Sequence, residues 1–217
     1  MTIDLFGGEE PRQTARVAMA EGAFLLRGFA LDQDDALLAD IRAIAEASPF
    51  RNMVTPGGFV MSVAMTNCGQ AGWVTDRSGY RYDAVDPETG EAWPPMPESF
   101  RALALAAAVE AGYPAFRPDA CLINRYEPGA RLSLHQDKNE RDFSHPIVSV
   151  SLGLPAVFQF GGLKRADAVA KYALRHGDAA VWGGASRLAY HGVPMLKEGE
   201  HPKLGRMRLN LTFRGAL

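Results

Sequence analysis

Cysteine is scarce in this chain. Among 217 residues only Cys68 and Cys121 occur, far apart and in no C-x-x-C spacing. That excludes a disulfide scaffold and a thiolate zinc framework. No apolar stretch approaches the roughly 20 residues that span a bilayer. The opening segment Met1–Glu10 has neither a basic end nor an apolar core, so no secretory leader is expected. An excess of one charge is missing too. With 23 basic and 25 acidic residues the net charge is −2, which argues against coating duplex nucleic acid by counterion release alone. Repeats, low-complexity runs and Ser/Gly-rich linkers are absent. At 47% hydrophobic residues the length suits one well-packed domain over residues 1–217 and is short for two. A reduced protein of the cytoplasm, with no membrane attachment, is the expectation.

What is present reads as two helices on a β core. Residues 33–47 carry Leu37, Ile41 and Ile44 at helical spacing after Asp32, and Pro49 ends the run. Residues 98–111 are rich in Ala and Leu, and Gly112 and Pro114 stop them. The remainder breaks into short strands, about 22–29, 59–66, 120–126, 131–137, 147–153, 156–160, 178–182, 187–191 and 206–214. Turn dipeptides such as Pro128-Gly129, Gly161-Gly162 and Gly183-Gly184 separate them, the pattern of a sandwich or jelly roll within an α+β chain.

Two fragments carry chemistry. His135-Gln136-Asp137 places an imidazole and a carboxylate two residues apart, on one face if the segment is a strand. His191 follows 54 residues later (191 − 137) and would have to arrive from another strand. Two histidines and one carboxylate form the facial set that holds Fe(II) with the opposite face open. His-x-Asp alone occurs by chance in many chains, so the set needs support. Arg206 through Arg214 alternates strictly. Leu209, Leu211 and Phe213 make a face for a core, leaving Arg208, Asn210, Thr212 and Arg214 on the other. Arg208 and Arg214 lie roughly 20 Å apart along a strand and could grip the two ends of a small dicarboxylate. Elsewhere, Arg77 and Arg81 flank Tyr80 and Tyr82, just after Trp73, while Lys164-Arg165 and Lys171 form a second basic cluster. Rings interleaved with cations suit splayed bases, though such clusters are common on ordinary surfaces.

From about residue 48 to 214 the chain resembles the AlkB-type alkylation-repair dioxygenases. The matching stretches include Met53–Gly58, Met61–Gly69, Pro118–Tyr126, Leu132–Lys138, Pro146–Pro155, Phe158–Arg165 and Asn210–Arg214. The resemblance implies a double-stranded β-helix (jelly-roll) core over about 115–214, an N-terminal and flanking helices, and a nucleotide-recognition lid over about 48–90. It implies Fe(II) held by His135, Asp137 and His191, with 2-oxoglutarate and O2 as cosubstrates. Asn124-Arg125-Tyr126, Arg208, Asn210 and Arg214 would form the cosubstrate site, with Arg208 clamping the distal carboxylate beside Tyr126. Oxidative decarboxylation to succinate and CO2 would drive hydroxylation of an N-methyl carbon, which leaves as formaldehyde. The implied substrates are 1-methyladenine and 3-methylcytosine in DNA, single-stranded or with the base flipped, and RNA as a further candidate, with the enzyme acting as a monomer.

A base must leave the stack to reach a buried metal. The resemblance assigns Trp73 as its stacking platform opposite His135, with Tyr80 and Arg165 contacting the substrate strand, and Met65 and Thr55 shaping the pocket. One position departs from the pattern. Where the repair enzyme carries an aspartate that reads the exocyclic amine of a cationic base, this chain has Asn139, which keeps an acceptor oxygen but no charge. Glu140 would supply the charge only if it faced the same way. Three rivals stay open on the residues alone: an Fe(II)/2-oxoglutarate oxygenase with a non-nucleic-acid substrate, a cupin-like metal enzyme that leaves Arg208 and Arg214 idle, and a non-catalytic nucleic-acid binder.

Overall fold

The structure is a computed structural model that describes residues 15–217, so the leader expectation at Met1–Glu10 lies outside the described residues. The large sheet is seven-stranded and antiparallel. It runs β1 (Arg16–Ala20), β2 (Ala23–Leu26), β11 (Ala179–Trp182), β8 (Ile147–Gly153), β13 (Arg208–Arg214), β6 (Ala120–Tyr126), β3 (Ala64–Gly69). A four-stranded antiparallel sheet runs β10 (Ala170–Leu174), β9 (Ala156–Phe160), β12 (His191–Val193), β7 (Leu132–His135). Facing one another, the two make a jelly-roll core. A separate hairpin joins β4 (Gly72–Asp76) to β5 (Gly79–Asp83).

Period-two alternation sorts each central strand between two interiors. Ile123, Val148, Val150, Leu209, Leu211 and Phe213 point to one side of the large sheet, where α1 (Asp34–Ala47) and α2 (Glu98–Glu110) seal them with Leu37, Ile41, Ile44, Phe100 and Leu103. The other side meets the small sheet through Leu122, Tyr126, Ile147, Phe158, Phe160 and Trp182. β13 is therefore not the half-buried closing strand its alternation suggests. It sits between β8 and β6 and is buried along its whole length, so Arg208, Asn210, Thr212 and Arg214 are interior residues.

Helix bounds and β6, β8 and β9 match the sequence reading. Residues 187–191 do not form a strand. A 3-10 turn at Gly184–Ser186 occupies the approach, and β12 starts only at His191. The strand expected at 59–66 lies at Ala64–Gly69, and β1, β4, β5 and β10 were not expected. Cys68 and Cys121, remote in sequence, are register partners on β3 and β6 and are both free and buried. Among the described residues, no helix is long and apolar enough to cross a membrane.

Candidate iron and cosubstrate site

Strand pairing brings the two histidines together. His191 on β12 is the register partner of His135 on β7, so both imidazoles leave the small sheet on the same face, with ring centroids 4.4 Å apart. Their closeness depends on Gly192. A Cβ there would come 2.8 Å from the Leu132 carbonyl oxygen and 3.0 Å from the Leu134 nitrogen, so any side chain would push β12 off β7. Asp137 is not on the strand as expected, since β7 ends at His135. The chain turns just beyond, and the carboxylate still reaches both rings: Oδ1 lies 3.6 Å from His135 Nε2 and Oδ2 lies 3.7 Å from His191 Nε2. The three ligand atoms all fall within 4.8 Å of one another.

The donor chemistry suits a divalent metal. His135 Nδ1 lies 2.8 Å from the Ser133 carbonyl and His191 Nδ1 lies 3.0 Å from the Ala189 carbonyl. A carbonyl only accepts, so each Nδ1 carries a hydrogen, and Nε2, the nitrogen facing Asp137, is the one each ring would offer to a metal. Burial lowers the His191 pKa to about 4, with His135 adding to the effect, so the ring is neutral at physiological pH. Burial alone would raise the Asp137 carboxyl. Arg214, His191 and His135 outweigh it and hold the group well below the usual carboxylate range.

Behind the triad lies a cluster that the sequence does not announce. Arg214 donates to Asp137 Oδ2 from Nη2 at 2.7 Å and sets Nε 3.4 Å from Glu140 Oε1. Glu140 also lies 3.2 Å from Arg187 Nη2, and Arg187 donates to the main-chain carbonyls of Asp137 (3.0 Å) and His145 (2.8 Å). Tyr82 from β5 donates to Glu140 Oε1 at 2.8 Å. Glu140 is thus committed to Tyr82 and two arginines and has no free charge to lend to a base. Arg214, expected beside a dicarboxylate, here contacts Asp137 and Glu140 from the same face of β13 as Arg208.

Further along the same face of β13, register builds a polar row. Arg208 pairs with Tyr126 on β6, and Asn210 pairs with Asn124 on β6 and Ser151 on β8. Arg208 is 1% exposed, sits 4.8 Å over the Tyr126 ring and donates to Ser151 Oγ at 2.9 Å. Its Nε and Nη1 find no hydrogen-bond partner among the described residues. Burial pulls the Arg208 pKa down, countered in part by Tyr126. A sealed guanidinium with two idle donors needs an anion, and a carboxylate matches its fork. Asn210 donates to Ser149 Oγ at 2.8 Å and to the Val150 carbonyl at 3.0 Å, and its Oδ1 accepts from Asn124 and Thr212. Asn124 Oδ1 is also unpartnered. Within the expected cosubstrate segment, the Arg125 side chain takes a different direction from its neighbours. As the odd residue between Asn124 and Tyr126 it points to the opposite face, against Phe50 (5.0 Å) and Glu127 (3.9 Å).

The aromatic residues gather at the hairpin. Trp73 on β4 and Tyr80 on β5 stack with centroids 5.8 Å apart. Trp73 is partly buried rather than free in a turn, and its Nε1 donates to Asn139 Oδ1 at 3.3 Å, while Asn139 Nδ2 donates to the Tyr80 carbonyl at 3.4 Å. Arg165 donates to the Leu134 carbonyl at 2.9 Å and lies 5.9 Å from the Tyr190 ring. Arg81 is neutralised by Asp76 (2.9 Å) and Asp83 (3.4 Å), so it does not add to a cationic surface. Met65 is a core residue on β3, and the Thr55 hydroxyl accepts from the Phe59 amide within its own turn.

Comparison with known proteins agrees with this geometry. Residues 22–214 match the 2OG-Fe(II) oxygenase superfamily. The chain is 59% identical over 214 residues to Alpha-ketoglutarate-dependent dioxygenase AlkB of Escherichia coli (strain K12), covering 99% of this chain and 98% of that protein. DNA N(6)-methyladenine demethylase ALKBH1C of Arabidopsis thaliana is 33% identical over 160 residues, 62% of this chain and 35% of its own length. The solved structure of OsALKBH1 superposes with a TM-score of 0.80 at 30% identity, covering 92% of this chain and 99% of the other.

Proposed function

Because the chain belongs to the AlkB family within the 2OG-Fe(II) oxygenase superfamily, we propose that it demethylates N-alkylated nucleobases in DNA by direct oxidative reversal. In this reading His135, Asp137 and His191 hold Fe(II), and the Asn124-Arg125-Tyr126 segment with Arg208, Asn210 and Arg214 forms the 2-oxoglutarate site. The segment about 48–90 is the nucleotide lid and about 115–214 the jelly-roll core. Trp73, Tyr80, Asn139 and Arg165 seat the damaged strand, single-stranded or with its base flipped, and RNA is a second candidate. The reading includes a monomeric, cytoplasmic enzyme.

The observation that carries it is continuity within residues 135–139. Two residues beyond Asp137, Asn139 hydrogen-bonds the Trp73 indole, so an aromatic platform adjoins the candidate metal centre. Bound Fe(II), with 2-oxoglutarate and O2, supplies the oxidising chemistry that converts the N-methyl carbon to a hydroxymethyl group and releases it as formaldehyde, alongside succinate and CO2. The chain's own contribution is orientation. Arg208 fixes one end of the cosubstrate through a buried bidentate contact. The Nδ1 contacts of His135 and His191 hold both rings in the tautomer that offers Nε2. Trp73 and Tyr80 replace the stacking that a flipped base loses.

The test is formaldehyde release from a single-stranded oligonucleotide carrying one 1-methyladenine, supplied with Fe(II), 2-oxoglutarate and O2. Formaldehyde in step with succinate, and none from the unmethylated strand, is expected. Succinate without formaldehyde from either 1-methyladenine or 3-methylcytosine strands would transfer the chemistry to a substrate outside nucleic acids.

A further inference from the structure

Tyr82 belongs to the hairpin, yet its hydroxyl points to the metal side of the molecule. On β5 it is the register partner of Trp73, and it donates to Glu140 Oε1 at 2.8 Å. From there a ring of alternating charge closes on itself. Glu140 Oε1 meets Arg214 Nε at 3.4 Å, and Arg214 Nη2 meets Asp137 Oδ2 at 2.7 Å. On the other side Glu140 Oε2 meets Arg187 Nη2 at 3.2 Å, and Arg187 Nη1 returns to the Asp137 main-chain carbonyl at 3.0 Å. The four side chains are 1–10% exposed, so nothing screens them and a shift in one is felt by the next.

Both strands of the hairpin are therefore tied to consecutive residues just after Asp137: Trp73 to Asn139, and Tyr82 to Glu140. In a two-stranded ribbon, movement of Trp73 carries its cross-strand neighbour with it. We propose that Tyr82 is a positioning residue that links occupancy of the Trp73–Tyr80 platform, through Glu140 and Arg214, to the carboxylate of Asp137. Metal and methylated strand then bind more tightly together than apart. The inference rests on the functional reading above and adds to it a coupling between lid and metal centre. Burial keeps the Tyr82 hydroxyl protonated, as a donor to Glu140 must be.

Linkage makes the coupling measurable without turnover, because each ligand must raise the other's affinity by the same factor. Co(II) is titrated into the 2-oxoglutarate-bound protein with and without a 1-methyladenine single strand, for the wild type, Tyr82→Phe and Glu140→Gln. Tyr82→Phe removes one oxygen and keeps the ring, and its melting temperature checks the fold. The wild type should bind Co(II) about fivefold or more tightly with the strand present. In Tyr82→Phe that ratio should fall toward one, whatever happens to the strand-free affinity. Glu140→Gln, which keeps an acceptor for Tyr82 but loses the charge facing both arginines, should also lower it. A purely structural Tyr82 would weaken Co(II) binding equally in both conditions and leave the ratio intact, which overturns the proposal, as does a wild-type ratio of one. Absence of formaldehyde release would overturn the functional reading instead.

Discussion

Arg214 on β13 and Asp137 in the loop after β7 form a buried charge pair, Nη2 to Oδ2 at 2.7 Å and Nε to Oδ2 at 3.1 Å. Removing one partner of such a pair leaves an uncompensated buried charge, at a cost of about 3–5 kcal/mol. Arg214→Met should therefore destabilise the metal-free protein by about that much and weaken Co(II) binding, since an Asp137 stripped of its counter-charge drifts toward its protonated form. Arg214→Lys should lose less. Urea unfolding with chelator, followed by Co(II) titration at pH 7, checks both. A wild-type midpoint in Arg214→Met would mean that the carboxylate stands without the guanidinium.

The metal-free protein should lose stability as pH falls from 6.5. His191 titrates near 6.5 when unfolded but at about 4 in the fold, because burial and His135 disfavour its charge. Between those values the unfolded chain binds more protons, so stability is complete above pH 6.5 and declines through the window, by on the order of 3 kcal/mol. Asp137, held low by Arg214, extends the decline in the same direction at more acid pH. Denaturation in chelator at pH 7, 5.5 and 4.5 should show the slope, and His191→Gln should flatten its upper part. A profile unchanged by His191→Gln would place the titration elsewhere.

Arg208→Ala should weaken 2-oxoglutarate binding far more than Arg208→Lys. The lysine keeps a charge, whereas the fork that leaves Nε and Nη1 idle is lost in both. Loss of a buried charged contact amounts to several kcal/mol in affinity. Calorimetric titration of cosubstrate into the Co(II) form measures it. Equal affinities across wild type, Lys and Ala would remove Arg208 from the cosubstrate site.

At position 139 the amide both accepts from Trp73 and donates to the Tyr80 carbonyl. Asn139→Asp keeps the first contact, loses the second and brings a negative charge to the platform. A charge at contact distance is worth a few kcal/mol at an effective dielectric of about 20 before desolvation is subtracted. The variant should favour cationic 1-methyladenine and 3-methylcytosine over neutral etheno adducts more than the wild type does, measured as kcat/KM ratios in one single-stranded sequence at fixed salt. Glu140→Gln should leave those ratios nearly unchanged, because Glu140 faces Tyr82, Arg187 and Arg214 rather than the platform.

Local rules made some of the site legible and hid the rest. The shared strand face expected for His135 and Asp137 is not what joins them, since β7 ends at His135 and Asp137 reaches both rings from the turn beyond. The alternation of β13 separates Arg208 and Asn210 from Leu209 and Leu211 without any structure. The same alternation cannot say that a second sheet covers the polar face, so β13 reads as half-buried when it is buried along its whole length. Period two also turns the Arg125 side chain away from Asn124 and Tyr126, toward Phe50 and Glu127. Tyr82, Glu140 and Arg187 lie far apart in sequence and look like surface residues, since a buried ion ring exists only once the lid hairpin, the loop after β7 and the turn before β12 converge. Arg214 carries the same lesson. Its strand face was readable, but its partner was not, because the Asp137 loop lies outside the regular strand.

The most direct test of the account is the mass of a single-stranded oligonucleotide bearing one 1-methyladenine before and after incubation with the protein, Fe(II), 2-oxoglutarate and O2. The account requires loss of one CH2 per lesion, matched by one formaldehyde and one succinate, with no change for the His135→Ala, Asp137→Ala or His191→Ala proteins. An intact methylated strand in the wild-type reaction, despite 2-oxoglutarate consumption, would contradict it.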